Sequence, residues 1–222
     1  AVANTLKFNK RTLEATPEGQ LVMAVTQSAA YTREGKSAEA AKTLDSVASL
    51  RAAGAHGDPQ LMLDLASTCM ANGRLDEADA VVAEVARNAH DSDALLAKAR
   101  KIYADAGRDD AGGSVLASAT ADVRKLNNEG VVLAQKGDFR TAAERLLTAC
   151  TAAPFNPRIS MNTVWVILKH IDQAGMDEPM IEAARRQLGE AERQAPGHPR
   201  LAGLRLHLRE IESRFGIHRK HA

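Results

Sequence analysis

The chain has 222 residues, 45% of them hydrophobic, so it has enough apolar side chains for a core and is not disordered throughout. Aromatic residues make up only 3%, while alanine and other good helix formers are abundant, which favours helices over sheet. A net charge of +1 leaves no overall field to attract nucleic acid or an anionic membrane, and no run approaches the ~20 consecutive apolar residues that span a bilayer.

The first segment, residues 1–16, has the pattern of a helix that ends before Pro17. The chain starts at Ala1 without an initiating methionine or an apolar signal segment. We therefore expect residues 1–16 to be the leftover second helix of a truncated unit. The natural protein is then expected to continue before Ala1.

The rest of the chain contains a recurring sequence pattern. An apolar helix ends at a glycine, a few polar or aromatic residues follow, and an alanine-rich helix begins. The glycines are Gly35, Gly73, Gly107 and Gly137, separated by 38, 34 and 30 residues. Helical repeats of the paired type have a period of about 34 residues. The spacing predicts repeats at residues 19–52, 59–88, 93–120, 123–154 and 157–196.

The clearest copy runs from residue 123 to residue 154. Small residues stand at Gly130, Ala142 and Ala149, where two crossing helices would leave no room for a larger side chain. Gly137 can end the first helix in a left-handed conformation, and Pro154 stops the second. This order of residue types resembles the tetratricopeptide repeat. The resemblance implies an all-α, right-handed α-solenoid of about five helix pairs.

The last segment, residues 198–215, has apolar residues at spacings of three and four, namely Leu201, Leu204, Leu208 and Ile211. A polar-backed amphipathic helix is what must close a solenoid, so we predict a capping helix here. Together these elements predict a single tetratricopeptide-repeat domain over residues 1–222. The basic ending at residues 218–221 is interpreted as a frayed terminus rather than a nucleic-acid contact.

No catalytic or metal-binding signature occurs, so we expect no enzyme, cofactor or metal. Cys69 and Cys150 each sit in an apolar helical pattern and are interpreted as buried free thiols of a reducing compartment. Residues 90–93 could supply imidazole and carboxylate ligands, but we interpret them as a turn in which Ser92 or Asp93 caps the next helix. Gly112 is interpreted as a helix-packing position rather than part of a phosphate loop.

First helices of successive tetratricopeptide units line the concave surface, and this register predicts a partner-binding groove. Arg124 and Arg158 would pair with acidic groups, Asn128 and Asn162 would hydrogen-bond the backbone of a ligand, and Trp165 would be the apolar anchor. Alternatively, the asparagines support neighbouring repeats and the arginines are only solvated. The predicted groove comprises Lys101, Arg124, Asn127, Asn128, Val131, Arg158, Met161, Asn162, Trp165 and Lys169.

Residues 59–215 also resemble a narrower family through residues 85–91, 106–108, 126–131 and 195–198. These residues look like the carboxy-terminal tetratricopeptide region of bacterial receiver-domain response regulators. The resemblance implies a cytoplasmic signalling role, in which phosphorylation of a receiver alters what the helices bind. The chain has no alternating strands and helices that could form a receiver, so no phosphoacceptor is carried over.

The hypothesis is therefore a protein-protein interaction scaffold, the output region of a two-component response regulator, with an acidic protein or peptide as partner. One alternative is a periplasmic or cell-envelope assembly factor, with Ala1-Val2-Ala3 as a start left by leader cleavage. Another is a homodimer formed through Leu63, Met70 and Trp165.

Overall fold

The computed structural model describes residues 13–217, so most of the helix expected over residues 1–16 and the basic ending lie outside the described residues. Within residues 13–217 the structure contains ten α-helices and no strand, which confirms the all-α prediction. The helices are α1 (Pro17–Arg33), α2 (Ser37–Ala52), α3 (Pro59–Ala71), α4 (Leu75–Asn88), α5 (Asp93–Asp105), α6 (Asp109–Gln135), α7 (Phe139–Ala152), α8 (Pro157–Ala174), α9 (Glu178–Gln194) and α10 (Pro199–Arg214).

The chain forms two compact units, residues 1–119 and 120–222, described from residue 13 and up to residue 217. Helix α6 contributes to both: Leu116 lies in the core of the first unit and Ala134 in that of the second. The repeat period predicts a break between residues 120 and 123, but α6 is continuous there. Residues 114–129 contain neither glycine nor proline, so nothing in them ends a helix. A single domain over residues 1–222 remains a prediction.

Several first helices of pairs begin with a capping side chain followed directly by proline. Asp58 accepts hydrogen bonds from the backbone nitrogens of Gln60 and Leu61 at 2.8 and 2.9 Å, and Pro59 follows it. Asn156 accepts from Ile159 at 2.9 Å in the same way at the start of α8. Because the first turn of a helix has unpaired N–H groups, a cap plus proline fixes the start of the helix.

The four recurring glycines end four helices with the same turn. Gly137 has a φ of 83°, its N–H bonds the carbonyl of Ala134 at 3.1 Å, and the next N–H, of Asp138, bonds that of Leu133 at 3.1 Å. These two hydrogen bonds to the last turn form the Schellman motif, which needs a residue in the left-handed conformation. The same pair of bonds recurs at Gly35, Gly73 and Gly107. The predicted turn at Gly137 is therefore confirmed.

Two helical glycines lie where helices cross without room for a side chain. A Cβ at Gly130 would stand 2.6 Å from Cγ of Leu146, and a Cβ at Gly112 would stand 2.5 Å from Cγ of Tyr103. The neighbouring Gly113 has no such contact, since nothing lies within 4 Å of its Cβ position. Both predicted small-residue positions are therefore confirmed.

Tyr103 is fixed in place by a charged pair. It is fully buried, and its hydroxyl donates to Oδ1 of Asp79 at 2.7 Å. Arg108 donates to both oxygens of that carboxylate, at 3.1 and 3.3 Å, and its guanidinium lies 5.7 Å from the centre of the Tyr103 ring. Burial, and then the Asp79 carboxylate, raise the pKa of Tyr103. The ring facing Gly112 therefore cannot move aside easily.

Alanine at Gly112 and at Gly113 should have opposite effects on stability. Gly112→Ala is expected to lower the free energy of unfolding by about 1 to 3 kcal/mol, because the new methyl group overlaps a fixed ring. Gly113→Ala should leave it unchanged or raise it by up to about 1 kcal/mol, because alanine is the better helix former. Urea unfolding of both variants checks this, and equal effects would contradict the crossing geometry.

Both cysteines are buried free thiols, as predicted. Burial raises the pKa of Cys69 to about 11 and also raises that of Cys150, whose sulfur lies 3.2 Å from Oγ1 of Thr163. The reactive form of cysteine is the thiolate. At neutral pH both thiols are therefore protonated as well as shielded.

We expect neither cysteine to be alkylated by iodoacetamide in the folded protein at about pH 7.5, and both to be alkylated in urea. Intact-mass spectrometry counts the added groups, and peptide mapping assigns them to Cys69 or Cys150. Rapid labelling of either thiol under native conditions would show that its helix opens readily.

Candidate partner-binding surface

Helix α8 lies at the centre of the second unit, where it packs against α7, α9 and α10. Most of its side chains are buried, including Val164, Ile167 and Ile171. An exposed or half-exposed stripe follows residues 158, 162, 165 and 169. Spacings of three and four residues place these side chains on one face of the helix. We call this face the α8 stripe.

Trp165 is the prominent apolar residue of the α8 stripe. Its side chain is 40% exposed. Phe139, the first residue of α7, meets it edge to face, with ring centroids 6.2 Å apart and planes at 84°. Phe139 itself is half-buried against the core of the second unit. The indole is therefore held in one orientation while much of it faces solvent, which is the geometry of an interface anchor.

Phe139 had no role in the sequence analysis, although it directly follows the turn at Gly137. Asp138 caps α7 by accepting from the backbone nitrogen of Thr141 at 3.2 Å, and this cap sets where the Phe139 ring starts. The sequence feature that could have indicated Phe139 is an aromatic residue at the first position of the second helix of a pair. The sequence gives no indication of which neighbour that ring contacts.

Asn162 and Lys169 lie on the α8 stripe with different surroundings. Oδ1 of Asn162 accepts a hydrogen bond from Nη1 of Arg200 on α10 at 3.1 Å, so this asparagine does link neighbouring helices. Lys169 is half-buried and forms no ion pair within the described part of the chain. Arg158 is exposed at the start of the stripe. The stripe thus combines an indole with two cationic side chains.

Met161 does not belong to this surface. It is 2% exposed and lies in the core cluster with Leu201 and Leu204. Both leucines belong to α10, which packs against α8. Including Met161 in the predicted groove was therefore wrong.

The α6 positions of the predicted groove are mixed in exposure. Arg124 and Asn128 are exposed, while Asn127 and Val131 are half-buried. Oδ1 of Asn127 is buried and accepts no hydrogen bond from any residue between 13 and 217. A buried amide oxygen without a hydrogen-bond donor costs free energy. A rearrangement that gives the Asn127 oxygen a donor would therefore be favourable.

Lys101 stands apart from the other nine predicted residues because it belongs to the first unit. It is exposed on α5 and pairs with Asp105 of the same helix at 2.9 Å. The α6 positions of the predicted groove and the α8 stripe all belong to the second unit. Whether these residues bind a partner stays a prediction.

Two of the three residues of the homodimer alternative are not on the protein surface. Leu63 and Met70 are buried in the core of the first unit, where they pack with the other apolar residues of α3. Neither can present an apolar surface to a second molecule without unfolding. Of the three, only Trp165 is exposed.

The turn at residues 90–93 has the predicted capping geometry. Oγ of Ser92 accepts from the backbone nitrogen of Leu95 at 3.5 Å, and His90 is buried with Nδ1 3.2 Å from the carbonyl oxygen of Arg87. Among residues 13–217 no group of three histidine, cysteine, aspartate or glutamate side chains could hold a metal ion. None of the helices described is both long and apolar enough to cross a bilayer.

Asp172 ties α10 to the end of α8, next to the α8 stripe. Its two oxygens accept from Nε2 of His207 at 2.8 Å and from Nη1 of Arg214 at 3.1 Å. Burial by itself would raise the pKa of Asp172, but the hydrogen bonds and positive charges of Arg214 and His207 outweigh it and lower the pKa. The carboxylate is therefore favoured in the folded chain.

A carboxyl group whose pKa is lower in the folded chain stabilises the fold above its unfolded pKa, and this contribution is lost as pH falls through the folded value. Asp172→Asn should lower the free energy of unfolding by no more than about 1 kcal/mol at about pH 6, and this deficit should shrink towards about pH 3. Urea unfolding at several pH values measures it.

Glu210→Gln is the matched control, because Glu210 is exposed on the same helix. It should change stability by less than about 0.5 kcal/mol at every pH. A deficit for Asp172→Asn that grows in acid would show that Asp172 is not held as a stabilising carboxylate.

Comparison with known proteins supports the repeat directly for part of the chain. A family model described as Tetratricopeptide repeat matches residues 31–102, about a third of the chain and within the first unit. No curated protein and no solved structure matches the chain. The first unit is thus similar to a repeat class that generally mediates protein-protein interaction, while the narrower resemblance to response regulators is not confirmed.

Proposed function

We propose that the chain is a protein-binding scaffold and that the α8 stripe, together with Arg124 and Asn128 of α6, binds a segment of a partner protein. The observation that carries this proposal is Trp165, an indole that is exposed yet held by Phe139. An exposed aromatic side chain with a fixed orientation loses little conformational entropy on binding. Trp165 is therefore the expected anchor.

The charges of the α8 stripe favour an acidic partner segment. Arg158 and Lys169 flank the indole along the helix, and the stripe from residue 158 to residue 169 contains no acidic residue. Asp172 lies beyond it and is already bound by His207 and Arg214. A peptide with an apolar side chain between carboxylates would complement this surface. Proteins of this repeat class are typically scaffolds without catalytic activity, which agrees with a binding role.

For the wider role, we propose the output region of a cytoplasmic bacterial response regulator, supported by the resemblance carried by residues 126–131. A periplasmic or cell-envelope assembly factor is the alternative. The gene sequence upstream of Ala1 separates them, because a receiver domain there supports signalling and a secretory leader supports the envelope.

Trp165 is the only tryptophan of the chain, so its fluorescence reports directly on the proposed site. Peptides selected from a random phage-displayed library against the intact protein should be rich in acidic and apolar residues. Titration of such a peptide should shift the emission of Trp165 and give a Kd. Arg158→Glu should raise that Kd at least about tenfold, because it replaces attraction by repulsion.

Lys125→Glu is the matched control for charge, since Lys125 is exposed on α6 outside the predicted groove. For the anchor, Trp165→Ala should abolish binding in calorimetry, whereas Phe155→Ala, which removes a 37% exposed aromatic residue of the same unit, should not. Selected peptides that bind Trp165→Ala as tightly as the unchanged protein would refute the site.

A further inference from the structure

A cleft of about 420 Å³ opens in the first unit, between α2 and α4. Its floor is apolar and includes Leu44, Leu65 and Val81, all of them buried. Its rim carries two small exposed residues, Ala48 on α2 and Ala80 on α4. Clefts of this volume lie in the range that holds a ligand or an inserted side chain.

At the rim of this cleft the first unit has a smaller residue than the second unit has at the matching position. In the repeat register that matches Ala40 with Ala142, Ala48 corresponds to Cys150. In the second unit Cys150 is buried, and its sulfur lies 3.2 Å from Oγ1 of Thr163. Ala48 has only a methyl group at this position, so the rim of the cleft is low there, above a floor of buried apolar side chains.

The two ends of the cleft carry ion pairs with an excess of negative charge. At one end Arg74 pairs with Asp45 at 3.0 Å and with Glu77 at 2.6 Å. At the other end Arg51 pairs with Glu84. Three carboxylates face two guanidinium groups, so the cleft favours an apolar side chain that is accompanied by a positive charge.

Helix α10 presents such a side chain. Leu206 is 60% exposed, more than any other large apolar residue described. Arg209 follows one turn later on the same face, is exposed, and forms no ion pair within residues 13–217. Gly203 precedes Leu206 by one turn, and nothing lies within 4 Å of its Cβ position. Leu206 therefore projects from the helix with no bulky side chain one turn before it and with the exposed guanidinium of Arg209 one turn after it.

We propose that the chain self-associates, with Leu206 of one copy inserted into the cleft between α2 and α4 of a second copy. Arg209 then faces the excess carboxylate at the Asp45 and Glu77 end. Ala48 and Ala80 at the rim and Gly203 beside Leu206 allow the two surfaces to approach closely. The contact joins two different surfaces, so it adds copies head to tail and yields rings or open chains rather than closed two-fold dimers.

Sedimentation velocity of the intact protein over a wide concentration range tests this contact. The average mass should rise with concentration beyond that of a dimer. Leu206→Ser should weaken association at least about tenfold, because it removes the inserted side chain. Met176→Ser, which changes a 54% exposed methionine outside α10, should leave association unchanged. A protein that stays monomeric throughout, or a Leu206→Ser variant that associates normally, overturns the proposal.

Mixing two defective variants tests the pairing of the surfaces. Ala48→Leu fills the cleft but keeps Leu206, whereas Leu206→Ser keeps the cleft. Each alone should be monomeric, and their mixture should form one-to-one dimers and nothing larger. Ala80→Leu, from the opposite rim, should behave as Ala48→Leu does. A mixture that stays monomeric overturns the proposal. Trp165→Ala should associate normally, so this result is independent of partner binding at the α8 stripe.

Discussion

The architecture depends on a spatial constraint: the two helices of a pair cross so closely that one of them must present almost no side chain. Gly112 against Tyr103 and Gly130 against Leu146 are two such crossings, without room for a Cβ on the glycine. The energy gained there is dispersion and apolar burial, which fall off steeply with separation, so the small residue permits the rest of the contact. A left-handed glycine then reverses the chain within a few residues, and the second helix packs back on the first.

This crossing also determines which residues can function. Once α8 is packed against α7, α9 and α10, little more than a narrow face of it remains for another molecule, and Trp165 lies on that face. The same kind of helix packing produces a different surface in the first unit. There, an apolar recess with small residues at its rim lies between two second helices. One repeat unit thus generates an aromatic projection in one half of the chain and a cavity in the other.

The sequence predicted the features that depend on local backbone chemistry. The turn at Gly137 and the small residues Gly112 and Gly130 were predicted because left-handed backbone and close crossings restrict the residue type. Burial by a neighbouring helix was not predicted from the sequence. Met161, Leu63 and Met70 were interpreted as residues of binding surfaces, but they are buried in hydrophobic cores. The continuous α6 was missed because the period required a break that residues 114–129 do not encode. The edge-to-face contact of Phe139 with Trp165 joins different helices, and no local pattern specifies it.

The helix pairs are built from neighbours in sequence, since α1 packs on α2, α3 on α4 and α8 on α9. Most native contacts therefore close short loops, whose entropic cost is small, and the contact order is low. Chains of this kind fold quickly, from several local starting points rather than from one obligatory nucleus. A nascent chain can accordingly bury the apolar faces of α1 and α2 soon after Ala52 has emerged, which shortens the time during which those faces can aggregate.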